Sequence, residues 1–329
     1  MLPTVTMPAE SGDRTGAHDR LWAVVLAAGE GTRLAPLTER LYDERLPKQF
    51  AVLAGDRSLL QTTIDRLLPL VPAARTVVVV PVAYEGLARR QLAEHSGIHV
   101  VAQPANRGTG PGILLPLAHV LQADPRAQVV VTPSDHYVAD AAPLTRAISN
   151  AAAVTSAPLT LVGVEADRPE TEYGWIEPGD ELSAGIRRVE RYVEKPDREL
   201  ARALVERGAL WNTFVFAASG RRLWNLAEVK LPVQAALIHA CVSQSGSKGS
   251  CLARAYARMQ DANFSRAVLE RTPGLAVVAA TGCGFSDWGS PARVFESLRG
   301  TDDLERLRAR LGPDRSSQDG ARRQEGTRQ

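Results

Sequence analysis

Between Trp22 and His136 the chain alternates short apolar runs with segments of helical period, and few architectures accommodate that alternation. The runs are Trp22-Ala-Val-Val-Leu26, Thr76-Val-Val-Val-Val80, His99-Val-Val101 and Gln128-Val-Val-Val131. They are rich in valine and lack a polar face, as strands covered on both sides require. Residues 58–71, 85–94 and 111–122 carry apolar positions at helical spacing, and Ser58 stands where the first of these helices needs an N-cap. Strands and helices alternating through short loops wind into a sheet with helices on both faces, and ligands of such sheets collect at the carboxyl ends of strands. Two polar clusters, at 29–33 and 134–136, follow strand ends of this kind, so one shared site is expected there.

After Pro143 the pattern loosens. Residues 159–164 read as a strand, 173–177 and 188–193 as partnered strands of a smaller sheet, 198–207 as a helix and 211–217 as a strand. Helices are expected around 223–243 and 252–271, joined by a Ser/Gly connector, and 275–281 reads as a last apolar strand.

The 329 residues and 44% hydrophobic content suffice for a real core. With 39 basic and 37 acidic side chains the net charge is +2, so no global field points to a nucleic-acid partner. No apolar run approaches the roughly 18 residues that span a bilayer, so no membrane-spanning segment is expected. Residues 1–20 read as a disordered leader without the make-up of a signal peptide. The folded domain is expected over 21–300, with a short helix and a disordered tail over 301–329. Cys241, Cys251 and Cys283 show no ligand spacing and read as thiols, which fits a reducing cytoplasm.

Chemistry concentrates in a few segments. Leu26-Ala-Ala-Gly-Glu-Gly-Thr-Arg33 places Gly29 and Gly31 after a strand, where successive amides can cradle an anion. Arg33 adds a fork of donors for phosphate oxygens, and Lys48, stiffened by Pro47, a second positive charge. The alternative is a tight turn with two solvated cations. A Walker loop is absent, and Leu34 stands where a dinucleotide fingerprint needs its third glycine. The segment from Gln103 to Gly112 can wrap a base or be a long loop, and composition leaves both open. Asp135 and Asp287 each follow a strand. Taken singly each reads as a turn or capping residue, but together they suit magnesium held by carboxylates and substrate phosphates. Gly174, Glu194, Lys195 and Asn212 supply the mixture of bare backbone, hydroxyl partners and a cation that a sugar phosphate needs. The alternative for Glu194 and Lys195 is an exposed pair at a strand end.

Taken in order, Gly29-Glu-Gly-Thr-Arg-Leu34, Pro47-Lys-Gln-Phe50, Ser58-Leu-Leu-Gln61, Gln103-Pro-x-Asn-Arg-Gly-Thr109, Pro133-Ser-Asp-His136, Tyr173-Gly-x-Ile176, Val193-Glu-Lys-Pro196, Trp211-Asn212 and Ser286-Asp-x-Gly289 resemble the sugar-1-phosphate nucleotidyltransferases. Within them the chain is most similar to the mannose-1-phosphate guanylyltransferases. The resemblance implies an α/β fold with a doubly wound, mixed and mostly parallel sheet of Rossmann-like kind and a small sugar-binding sub-sheet. It implies that Leu26, Ala27, Gly29, Gly31, Thr32 and Arg33 hold the nucleotide, with Lys48 neutralising the α-phosphate. Gln103, Gly108 and Thr109 would face the base, Asp135 and Asp287 would bind Mg2+, and Gly174, Glu194, Lys195 and Asn212 would hold the sugar phosphate. Arg33, Lys48 and Asp135 would then be the catalytic set. A nucleoside triphosphate, expected to be GTP, and mannose 1-phosphate are the implied substrates, and a homo-oligomer stays open. The alternatives are a glucose-1-phosphate uridylyl- or thymidylyltransferase and a silent regulator that binds nucleotide sugars, against which the joint presence of Arg33, Lys48, Asp135 and Asp287 speaks. The chain departs from the pattern at Thr213-Phe214, where Ser-Gly is common. On a regular strand Phe214 shares the face of Asn212 and should wall the sugar pocket.

Overall fold

The computed structural model describes residues 20–243 and 248–312. The expected leader, apart from Arg20, and the expected tail beyond Gly312 lie outside these residues, as do residues 244–247 of the Ser/Gly connector. Strands β1 (Leu21–Leu26), β2 (Thr76–Pro81), β3 (His99–Gln103) and β4 (Gln128–Pro133) alternate with helices α1 (Ala35–Tyr42), α2 (Leu59–Leu67), α3 (Glu85–Gln91) and α4 (Thr109–Ala123). The strands pair in parallel in the order β3-β2-β1-β4. The chain leaves β1 on one side and returns to β4 on the other, which opens a crevice at the carboxyl ends of β1 and β4. Both faces are covered: Ala23 and Val25 enter one buried cluster, Trp22 and Val24 the other. Ser58 caps α2 as expected, exchanging hydrogen bonds with Gln61 in a capping box, and its hydroxyl also donates to Gln91 Oε1 at 2.8 Å, tying α2 to α3.

The second half runs β5 (Tyr137–Val138), α5 (Ala141–Ala153), β6 (Thr160–Glu165), β7 (Gly174–Ser183), β8 (Ile186–Glu194), α6 (Arg198–Glu206) and β9 (Leu210–Ser219). It continues with α7 (Gly220–Lys230), α8 (Pro232–Val242), α9 (Lys248–Arg258), α10 (Phe264–Ala267), β10 (Ala276–Ala279), β11 (Phe285–Ser286), α11 (Pro291–Ser297) and α12 (Asp302–Leu311). One nine-stranded sheet carries the order β3-β2-β1-β4-β9-β6-β10-β8-β7. It is mixed: parallel through β3 to β4 and between β6 and β10, antiparallel at the other ladders.

Five expectations are corrected. The sheet is not mostly parallel, since four of its ladders are parallel and five antiparallel. The helix expected over 252–271 is broken into α9 and α10. The strands at 173–177 and 188–193 do not form a separate small sheet, because β8 pairs with β10 and β7 also pairs with β9, which makes them one end of the main sheet. The helix expected over 223–243 is two, because Pro232 cannot continue α7 and instead starts α8. Cys241 and Cys251 are not thiols: a disulfide joins them across α8 and α9, and Cys283 alone is free and buried. No helix among the described residues is long and apolar enough to cross a membrane.

Strand β9 sets the geometry of the site. Along one edge it pairs with β6. On the other, residues 216–219 face β4 while Leu210 and Trp211 face β7. Residues 212–215 lie between those two ladders, at the seam between the carboxyl end of β4 and the start of β7.

Candidate active site

The turn after β1 is tied down from two sides. The Leu26 carbonyl accepts from the amide and the hydroxyl of Ser134, at 3.1 and 2.8 Å, which joins it to the loop after β4. Gln49 is fully buried and its Nε2 donates to the carbonyls of Ala27 and Gly29 at 2.9 and 2.8 Å. Gly31 has φ +58°, and a Cβ there would stand 3.1 Å from the Lys48 backbone nitrogen. A side chain at this position would therefore push Lys48 off the turn. A cleft of about 200 Å³ results, lined by Gly31, Thr32, Arg33, Lys48, Asp135 and Gly289.

Asp135 and Asp287 meet because β5 and β11 pair antiparallel, Ser286 opposite Tyr137. Lys48, nearly buried, bridges the two loops: its Nζ lies 3.0 Å from Asp135 Oδ2 and donates to the Asp287 carbonyl at 2.6 Å. Asp287 Oδ1 accepts from the Tyr173 hydroxyl at 2.9 Å, the Gly289 amide at 2.8 Å and Arg293 at 2.6 Å. Its Oδ2 faces Arg33 at 3.7 Å. Burial, the largest single influence, would raise both carboxyls, but Lys48 and His136 together outweigh it at Asp135, and Lys48 with Arg293 at Asp287, so both lie below the ordinary carboxylate value and are ionised at neutral pH. Burial lowers the His136 imidazole against the pull of Asp135. Burial and Asp287 raise the Tyr173 phenol, which stays protonated and can donate.

The expected sugar-phosphate residues form a second group at the seam. Asn212 Nδ2 donates to the Tyr192 hydroxyl at 2.8 Å, and that hydroxyl donates to Glu194 Oε2 at 3.0 Å. A Cβ on Gly174 would stand 2.5 Å from the Tyr192 oxygen, so only glycine fits beneath this chain. Lys195 adopts φ 51°, an uncommon conformation for a side chain that must be held in one direction. The expected base residues form a third group. Gln103 is buried, and its Oε1 has no partner among the described residues. Gly108 has φ +81° and no room for a Cβ against the Ala262 carbonyl. The Thr109 hydroxyl accepts from the Phe264 amide at 2.8 Å, so it braces the loop against α10. Asn106 Nδ2 reaches Glu30 Oε1 at 3.4 Å, linking the base loop to the glycine turn.

Sequence reasoning gave no role to Gln49, although it stands in the Pro47-Lys-Gln-Phe50 motif, and singled out none of Tyr192, Arg293, Glu170 and Glu172. Arg293 sits six positions after Asp287 in the first turn of α11. Nothing local distinguishes it from a surface arginine until the loop after β6 brings Glu170 against it.

Phe214 breaks the expected alternation. The register between β6 and β9 jumps from Val162 opposite Val215 to Gly163 opposite Asn212, which leaves Thr213 and Phe214 as a bulge. Phe214 takes φ 57°, its amide donates to Asn212 Oδ1 at 3.1 Å, and its half-buried ring packs edge-on to Phe216 and Phe264. The ring is thus a lid on the core near the base loop rather than a free wall of the sugar pocket. A left-handed aromatic residue stores strain of roughly 1–3 kcal/mol, which glycine would relieve. Phe214→Gly should therefore cost only about 1–3 kcal/mol, less than the ~3–5 typical of a core phenylalanine. Phe214→Ala, which keeps the strain and also loses the ring, should be the less stable of the two in denaturant titrations. Alanine more stable than glycine at this position would contradict the left-handed geometry.

The model of the nucleotidyl transferase family matches residues 22–291. The chain is 33% identical over 299 residues to mannose-1-phosphate guanylyltransferase of Escherichia coli K12, covering 85% of this chain and 60% of that one. It is 33% identical over 286 residues to the xanthan biosynthesis protein XanB of Xanthomonas campestris pv. campestris, covering 83% and 58%. It thus spans about three fifths of the length of these curated relatives. Among solved structures it resembles a mannose-1-phosphate geranyltransferase from Thermus thermophilus, with a TM-score of 0.75 and 29% identity over 85% of this chain and 79% of the other. A match that runs from β1 to the start of α11 and takes in every loop of this cleft makes the chain a member of the nucleotidyl transferase family.

Proposed function

We propose that the chain transfers a nucleotidyl group from GTP to mannose 1-phosphate, with magnesium in the cleft, and releases pyrophosphate. The observation that carries this reading is the meeting of Lys48 with Asp135 and the Asp287 carbonyl, at the cleft that the glycine turn and Arg33 line. The name of the Escherichia coli relative supports the choice of donor and acceptor. The unpartnered Gln103 Oε1 suits a base whose pairing edge offers a ring N–H, which guanine, uracil and thymine have and adenine and cytosine lack.

In this reading a phosphate oxygen of the sugar phosphate bonds to the α-phosphorus. The bond from that phosphorus to the bridging oxygen breaks, and its electrons leave with pyrophosphate. The nucleophile is already anionic, so no strong base is needed. The site's work is to bring two anions together in line and screen their charge. Lys48, held by the Asp287 carbonyl, would neutralise the α-phosphate, and Arg33 lines the same cleft beside the glycine turn. Tyr192, Glu194 and Asn212 form a polar chain for sugar hydroxyls, and Lys195 supplies a cation for the phosphate.

The donor set fits magnesium. Asp135 is part-exposed at the cleft, Asp287 keeps Oδ2 free of close hydrogen bonds, and hard oxygens plus substrate phosphates are what that ion prefers. Among the described residues no three His, Cys, Asp or Glu side chains gather as a metal site, so substrate phosphates and water would complete the shell. Bound there, magnesium would neutralise charge on the phosphates.

Pyrophosphate release measured for four nucleoside triphosphates against a panel of sugar 1-phosphates tests the reading. Release with GTP and mannose 1-phosphate is expected. Release only with UTP or dTTP and glucose 1-phosphate would move the assignment to that branch, and none with any pair would favour a silent binder. In the same assay Lys48→Ala should depress kcat more than it raises the sugar-phosphate KM. An unchanged kcat with a large rise in that KM alone would place Lys48 on the other substrate.

A further inference from the structure

We infer that Glu172 is a built-in competitor of the acceptor phosphate, one that sets the affinity of the sugar-phosphate subsite and couples it to nucleotide binding. The inference rests on the reading of Arg33 as a triphosphate ligand and Lys195 as a sugar-phosphate ligand.

A single oxygen carries the observation. Glu172 Oε2 lies 3.1 Å from an Arg33 guanidinium nitrogen and 3.6 Å from the Lys195 ammonium. One carboxylate thus bridges a cation of each subsite. In that reading the acceptor phosphate approaches the α-phosphorus at that junction, and its oxygens need the Lys195 cation that Glu172 holds, while the triphosphate needs Arg33. The backbone holds the arrangement in place. The Glu172 amide donates to Glu170 Oε1 at 3.1 Å, and the next residue, Tyr173, is buried with its hydroxyl on Asp287. From the other side the Lys195 amide donates to the Tyr173 carbonyl at 3.1 Å, with Lys195 in its left-handed conformation.

The contacts are also easy to displace. The side chains of Arg33, Glu172 and Lys195 are 54%, 46% and 45% exposed, and ion pairs so open to water are weak. They do not brace the fold; they occupy the place of a substrate anion. A triphosphate that engages Arg33 removes the shorter contact and leaves Glu172 only the longer one to Lys195. The sugar phosphate then competes with one ion pair instead of two, so nucleotide binding raises its affinity, and by linkage the reverse holds.

Titration calorimetry of the full chain with mannose 1-phosphate, with and without a non-hydrolysable GTP analogue, tests this. Glu172→Gln, which keeps length and loses charge, should bind mannose 1-phosphate about fivefold more tightly without nucleotide, the scale of one or two exposed ion pairs. The gain conferred by the analogue should shrink relative to the unsubstituted protein, and Glu172→Ala should move the same way. Equal or weaker binding in Glu172→Gln, or an undiminished gain, would overturn the inference. Lys195→Ala separates this from the underlying reading. If Lys195→Ala weakens mannose 1-phosphate while Glu172→Gln does not tighten it, the subsite stands and Glu172 alone is misassigned. If Lys195→Ala leaves binding unaltered, the subsite is wrong and the inference falls with it.

Discussion

Asp135→Asn should lower turnover by ~10²-fold or more, the scale of losing one preorganised electrostatic contact at a reacting centre. The substitution keeps the shape of the side chain and removes the charge that faces Lys48 at 3.0 Å. Two consequences follow. The carboxylate offered to magnesium becomes an amide, a poor ligand for a hard cation. Lys48 also loses the partner that, with the Asp287 carbonyl, fixes its direction. The fold should survive. Asp135 lies in the loop between β4 and β5, and Lys48 keeps its bond to the Asp287 carbonyl. Removing one of two neighbouring carboxylates also relieves the repulsion that Asp287 exerts on Asp135. The expected result is a melting temperature within a few degrees of the unsubstituted protein, with turnover at saturating substrates down by two orders of magnitude. Near-normal turnover would remove Asp135 from the mechanism. Turnover restored by raising magnesium alone would confine its role to metal affinity.

Much of this site is legible in the sequence because its parts are local. A valine run followed by Gly-x-Gly already specifies a strand end with a close backbone approach, and β1 with Gly31 bears that out. The same holds for Ser58 and Gln61, three residues apart in a capping box. The part that is not legible depends on pairing across long separations. Residues 173–177 and 188–193 read correctly as partnered strands, but no local feature shows that β8 also pairs with β10, so they read as a separate sheet. Phe214 departs from expectation for a related reason. Strand alternation is a sound rule until a bulge intervenes, and this bulge is set by where β4 and β7 each meet β9. Cys241 and Cys251, ten positions apart, show no ligand spacing, and their pairing depends on how α8 meets α9. The charged shell behind the aspartates is hidden because arginine and glutamate are ordinary surface residues until the fold buries them together.

That shell yields the largest expected effect on stability. Arg293, Asp287 and Glu170 have side chains only 14%, 15% and 12% exposed. Arg293 spans both acids, 2.6 Å from Asp287 Oδ1 and in close contact with Glu170, while its guanidinium carbon stacks 5.0 Å over the Tyr173 ring. A planar fork is the one side chain that can serve two carboxylates and a ring face at once. Removing one member of a nearly buried cluster leaves the others uncompensated, so Arg293→Ala should cost about 3–5 kcal/mol. Arg293→Lys should recover only part of this, since an ammonium cannot reproduce the fork. Pairing Arg293→Met with Glu170→Gln should recover more, because it removes a stranded charge along with its partner. The sign of the pH dependence follows from Asp287, whose carboxyl is held below its ordinary value. Its contribution is fully present above the unfolded carboxylate value of about 3.9 and is lost as pH falls through the lower folded value. Arg293→Ala takes away one of the charges that hold this carboxyl down. The loss of stability on acidification below about pH 4 should therefore be shallower in the variant, although its stability at neutral pH is lower. Denaturant titrations at pH 7 and at a series of acid values measure both quantities. A cost below about 1 kcal/mol with an unaltered acid limb would mean that Arg293 behaves as an exposed ion pair, and that the Tyr173 hydroxyl and the Gly289 amide suffice to hold Asp287 in place.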